Sequence, residues 1–242
     1  MVKKIGIFVV VSFVMGNTVA WFSGAAPIEF APIPFSQEGE QRRSELTKIL
    51  QDDPDDLEAM IFLGSLYSSH NYLDKADELL SQAIVRHPDE ALALAFYHSN
   101  QTKISGAMLD LSMGIYKLHR LQQSIDGINQ SVALAPEDFF VRINRLITFG
   151  FLGDINSDFD KVFEDERWLN KFVQSQGSHL PQDLMSTLYV ALANAYWVKD
   201  QGAQSDALNQ ARFYLTKLEE HGGCPLTSRK ECHQLKQLMQ QS

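Results

Sequence analysis

Basic residues are scarce in this chain of 242 residues: 21 Lys and Arg stand against 30 Asp and Glu, a formal net charge of −9. That balance repels nucleic acid and anionic lipid surfaces, so no nucleic-acid partner is expected. Lys3 and Lys4 are the only charged side chains before residue 21, which leaves the remainder more acidic still. Catalytic signatures are missing as well: there is no glycine-rich phosphate loop, no H-E-x-x-H and no G-x-S-x-G. Asp and Glu are spread along helix surfaces rather than paired, so the chain reads as non-enzymatic, with no cofactor called for. Cysteine is limited to Cys224 and Cys232, and no stretch reads as a convincing strand.

What is present is apolar. Hydrophobic residues make up 45% of the chain, enough to bury a continuous core. The start reads MVKKIGIFVVVSFVMGNTVAWFSGAAP: a basic end, an apolar run from Ile5 to Met15, then small residues at Thr18-Val19-Ala20. This is the layout of a secretory signal cleaved after Ala20, making residues 1–20 a signal peptide. The competing reading is a retained membrane anchor over residues 5–26, with Trp21-Phe22 at the interface. Either one sends the rest across the membrane, so a periplasmic or extracytoplasmic location is expected, soluble or held at the inner membrane. Residues 21–36 form a linker whose stretch PIEFAPIPF forbids helix and favours an extended tether. The folded domain is expected over 37–242.

Pro54 and Pro88 lie 34 residues apart. Between them run two amphipathic helices about a turn at His70-Asn71. Gly64 lets the pair approach closely, Leu63 and Tyr67 fill the space between, Ala76 and Ala83 are small at crossings, and Leu80 fills a gap. Pro88 stops the second helix. With Met60, these positions make residues 57–90 resemble a tetratricopeptide repeat. That resemblance implies an all-α, right-handed superhelix of antiparallel helix pairs whose function is protein binding. Degenerate copies are read at about 105–138, counted back from Pro136, at 139–172 and at 186–221. The second copy places Met108, Leu111 and Ile115 in its first helix and treats 91–104 as a 14-residue insertion. In the third, Arg142 and Arg145 stand where apolar residues are expected.

The resemblance also implies an inner groove lined by one face of each first helix. In this register the lining is Ile61, Ser65 and Ser69; Leu109, Met113 and Tyr116; Ile143, Ile147 and Phe151; Val190, Asn194 and Trp197. An apolar groove of this kind fits an apolar peptide or an amphipathic helix of another protein, with self-association through the same face as a further possibility. The run DINSDFDKVFED imitates a calcium loop, but Phe159 replaces the necessary glycine and Asp165 the bidentate glutamate.

Both cysteines fall in HGGCPLTSRKECH, residues 221–233. Gly222-Gly223 ends one helix, Ser228 with Glu231 reads as a capping box, and a capping helix follows over 229–241 with Cys232, Leu235 and Met239 on one stripe. In an oxidising compartment Cys224 and Cys232 are expected to pair. Two alternatives compete. Zinc would need His221, Cys224, Cys232 and His233 to converge, and haem attachment would use Cys232-His233 with an unusually long spacer. Either would make the C-terminus a metal- or haem-binding module rather than a latch.

Overall fold

The structure, a computed structural model, describes residues 2–176, 181–200 and 206–240, with side chains from residue 10 onward except at 173–176. It contains eleven α-helices and no strand among the described residues. They are α1 (Val2–Ala20), α2 (Gln37–Asp52), α3 (Leu57–Ser69), α4 (Leu73–Arg86), α5 (Ala91–Ala107), α6 (Ile115–Leu134), α7 (Phe139–Leu152), α8 (Lys161–Gln176), α9 (Gln182–Asp200), α10 (Asp206–Glu220) and α11 (Arg229–Gln240). Parts of the loop at Gly177–Pro181 and of the turn KDQGAQS lie outside the described residues.

Helix starts follow the local chemistry. Ser36 Oγ accepts from Gly39 N at 3.1 Å, Asp56 Oδ1 from Ala59 N at 2.7 Å and Asp138 Oδ1 from Val141 N at 2.9 Å. Each satisfies an N–H group that the helix itself leaves unpaired. Asp56 and Asp138 each stand two residues after a proline, so one short motif ends a helix and opens the next.

Consecutive helices pair antiparallel, and the first helices of the pairs stack in order, α3 on α5, α5 on α7 and α7 on α9. Small residues set the separation. A Cβ at Gly64 would lie 2.6 Å from Leu80 Cγ, and one at Gly150 would lie 2.8 Å from the backbone oxygen of Ala191. Ala76, Leu80 and Ala83 are fully enclosed. The pair read from 57–90 is therefore packed by the residues that identified it.

The second pair corrects the register. Its first helix is α5, residues 91–107, so the residues taken for an insertion are the repeat helix itself. The additional length lies in the loop 108–114 and in α6, which runs for 20 residues. In the third pair, Arg142 and Arg145 turn inward onto Asp165 of α8. Arg145 Nε and Nη2 donate to it at 2.6 and 2.7 Å, and Arg142 Nη1 at 2.8 Å. A charge network occupies what the pattern assigned to hydrocarbon, and it also uses the residue that imitated a calcium ligand.

Residues 26–36 are extended, as their prolines require, but they are not a free tether. Ile33 N donates to His70 O and Ile28 N to Gly106 O, both at 2.9 Å. These carbonyls sit at the C-terminal ends of α3 and α5, where no helical partner exists, so the strap completes their bonding. Phe35 stacks on Tyr72 and His70, with ring centroids 5.3 and 4.3 Å away.

At the other end, Cys224 and Cys232 form a disulfide with Cα atoms 5.8 Å apart. Cys232 packs with Val190 and Leu218, while Leu235 and Met239 join the main core, so α11 closes the stack. The capping box is not made: Ser228 lies in a 3-10 turn over Leu226–Ser228, and its Oγ is buried without a hydrogen bond.

Two stability outcomes follow from these contacts. Asp165→Leu strands the buried Arg145 guanidinium and lowers unfolding free energy by about 3 kcal/mol in chemical denaturation. Reducing the disulfide removes roughly 2–3 kcal/mol of loop-closure stabilisation and speeds tryptic cleavage at Lys230 and Lys236, whereas cleavage at Lys75 and Arg86 of α4 is unchanged.

Candidate partner-binding surface

The inner side of the stack is identified by a contact that skips a helix pair. Phe62 of α3 and Phe140 of α7 meet edge to face, with centroids 6.4 Å apart, although α5 lies between their helices in the stack. Side chains from alternate repeats approach each other more closely on the concave side of a curved array than on the convex side. Phe96 of α5 shares the core clusters around α3 and is partly exposed, and Phe140 keeps 44% of its surface exposed. Ile147, Phe151 and Trp197 are half-buried against the main core.

The residues expected to line a groove are distributed differently. Ile61, Ile143 and Val190 are core residues. Ser65 and Ser69 turn their hydroxyls onto Phe62 O and Leu66 O of their own helix, each at 2.9 Å. Asn194 Nδ2 donates to Gly150 O at 2.8 Å, tying α9 to α7 where their backbones are closest. Leu109 and Met113 lie in the loop before α6 and Tyr116 in its first turn, all exposed. Ile147, Phe151 and Trp197 thus remain as partly open apolar residues, joined by Phe62, Phe96 and Phe140. The signal for Phe96 was present in the sequence, since Phe62 and Phe96 stand one 34-residue period apart.

The same period carries Ser69 onto Lys103, the most unusual charge in the molecule. Lys103 Nζ donates to Ser68 O at 2.8 Å and to Asn71 Oδ1 at 3.0 Å, and sits 6.0 Å from the Phe30 ring of the strap. Burial withdraws it from water and pushes its pKa down to about 8, with the negative charge of Glu231 acting weakly the other way. Lys103 joins α3, α5 and the strap.

Other buried polar groups are structural links. Arg120 Nη2 donates to Gln101 Oε1 at 2.6 Å while Gln101 Nε2 bonds Asp77, joining α4, α5 and α6. Glu166 of α8 accepts from Tyr196 OH at 2.7 Å and from Tyr214 OH, and burial with this carboxylate raises both phenol pKa values. At the C-terminus the disulfide consumes both thiols, and His221 Nδ1 bonds Lys217 O at 2.8 Å. Among the described residues no group of three or more His, Cys, Asp or Glu is placed to hold a metal ion.

The Lys103 environment gives a pH signature. Below pH 8 native and unfolded chains both hold this proton and the burial penalty is fully present. Between about 8 and 10.5 the unfolded lysine binds more proton than the native one, so stability rises with pH. Denaturation at stepped pH is expected to show a gain of up to about 3 kcal/mol across that window, offset above pH 10 by the two tyrosines, and Lys103→Met abolishes the gain.

No protein-family model matches the chain, and no curated protein matches it. A solved structure does: a thermophilic TPR protein of Thermus thermophilus, with a TM-score of 0.51 and 13% identity, aligned over 84% of this chain and 89% of that one. At that identity the likeness concerns fold alone, and the fold it shows is the all-α stack of tetratricopeptide-type helix pairs.

Proposed function

We propose that this protein is a non-catalytic scaffold or assembly factor on the exported side of a membrane, holding an apolar peptide or amphipathic helix of another protein against its concave surface. The observation that carries the reading is the meeting of Phe62 and Phe140 across an intervening helix pair, with Phe140 substantially open to solvent. Aromatic side chains offer large contact area at low entropic cost and are favoured as anchors in interfaces. Asp165, Glu166 and Gln101 are engaged in bonds between helices, a use that fits a scaffold. Export is supported by the N-terminal sequence and by the disulfide, because cytosolic thiols are kept reduced.

A photo-crosslinkable phenylalanine analogue at position 140 is expected to capture a peptide in the native envelope, and one at Gln82 on α4 is not. Phe140→Asp should then weaken affinity for a synthetic copy of that peptide by at least about tenfold, with little change in unfolding free energy. Equal capture at both positions, or unchanged affinity, rules out the concave surface.

A further inference from the structure

The α5–α6 loop and the start of α6 read LDLSMGIYKL over residues 109–118, and their polarity is inverted. The charged residues face inward: Asp110 is 4% exposed and Lys117 9%. The apolar ones face outward, with Leu111 56% and Ile115 69% exposed, alongside Leu109 and Leu118. Loops in water show the opposite arrangement, because solvent satisfies charge and rejects hydrocarbon.

This loop is built rather than loose. The Asp110 carboxylate accepts from Ser112 N at 2.7 Å, from Lys117 N at 2.9 Å and from the Ser112 hydroxyl. Lys117 Nζ donates to Ala26 O at 2.8 Å. Met113 and Gly114 both adopt left-handed backbone, with φ of 57° and 85°, which costs energy at Met113 and is maintained by its surroundings. Met113 N donates to Asn17 Oδ1 at 3.1 Å, and a Cβ on Gly16 would lie 2.8 Å from Met113 Sδ. The loop is therefore docked on α1, whose Val10, Phe13 and Val14 are exposed, as is Trp21 just beyond it. Asn17, a polar residue inside the apolar run, is nearly buried and bonded to Phe13 O and to Met113 N.

Taking α1 as retained rather than cleaved, we infer that the loop 109–118, together with α1, is a membrane-docking face that seats the helical stack on the interfacial zone of a bilayer. Internally satisfied polar groups with outward hydrocarbon are what that medium requires. No charged side chain is exposed between 109 and 118, so the contact this loop makes is hydrocarbon alone, needs no anionic lipid and is insensitive to salt. This face is separate from the concave surface, and failure of either reading leaves the other intact.

The test uses the full chain, with its disulfide intact, and vesicles of phosphatidylcholine alone. A nitrobenzoxadiazole fluorophore is placed on Ile115→Cys or Leu111→Cys, with Gln82→Cys as a distal control. On vesicle addition the emission from 115 or 111 should shift to the blue, rise severalfold and be quenched by brominated acyl chains, equally in low and high salt; Gln82 should not respond. Leu111→Ser with Ile115→Ser should weaken partition by roughly tenfold or more while thermal unfolding is retained. Co-flotation with no spectral response at 111 and 115 overturns the inference, since α1 alone would then touch lipid. A shift that depends on protein concentration without vesicles, and that vesicles do not change, overturns it in favour of contact between copies of the chain.

Discussion

The structure depends on how closely helices can approach one another at a few residues lacking bulk. At Gly150 the α7 backbone comes so near α9 that a single carbon would meet the Ala191 carbonyl oxygen at 2.8 Å. Asn194 then bridges the same helices by bonding Gly150 O. At Gly64 the space is taken instead by Leu80. None of these helices could hold its conformation in isolation with one apolar face wet, and each is stabilised by the neighbours these contacts bring within reach. Curvature of the stack follows, and curvature brings Phe62 and Phe140 together across an intervening helix pair.

Polar groups then hold what apolar packing leaves undetermined. Asp165 receives two arginines from α7, Glu166 receives two tyrosines from α9 and α10, and Gln101 relays between α4 and α6. Such groups are costly to bury unless each finds a partner, so they fix register: a helix displaced along its axis would lose several bonds together. Lys103 fixes the strap in the same manner. Its ammonium lies among the carbonyl of Ser68, the amide of Asn71 and the ring of Phe30, which links the N-terminal segment to the ends of two first helices.

Much of the first pair was legible because its identifying residues act locally. Pro88 ends α4 by lacking an N–H, and Gly64, Ala76 and Ala83 are small where packing demands it. The second pair was legible only in one direction. Counting 34 residues forward from α3 reaches α5 at residue 91, whereas counting back from Pro136 assumes that the added length precedes the first helix. That length lies in the 108–114 loop and in α6, and local pattern carries no sign of the difference, because LDLSMGIYKL has as many apolar residues as a helix face would. Arg142 and Arg145 departed from the repeat pattern for a reason held 20 residues and more away, in a carboxylate on another helix.

By itself, the sequence determined that the chain is helical, that it contains a helix pair of tetratricopeptide length over 57–90, and that Cys224 and Cys232 can close a short loop before a terminal amphipathic helix. These depend on spacing, turn chemistry and chain connectivity, which act over a few residues. Tertiary structure decided which faces are open. Ile61, Ile143 and Val190 are enclosed while Phe140 is not, the proline-rich segment lies along the helix ends instead of hanging free, and the 109–118 loop turns its charges in and its hydrocarbon out. Exposure is set by what the curved stack brings against each side chain from distant parts of the chain, and no local pattern contains that information.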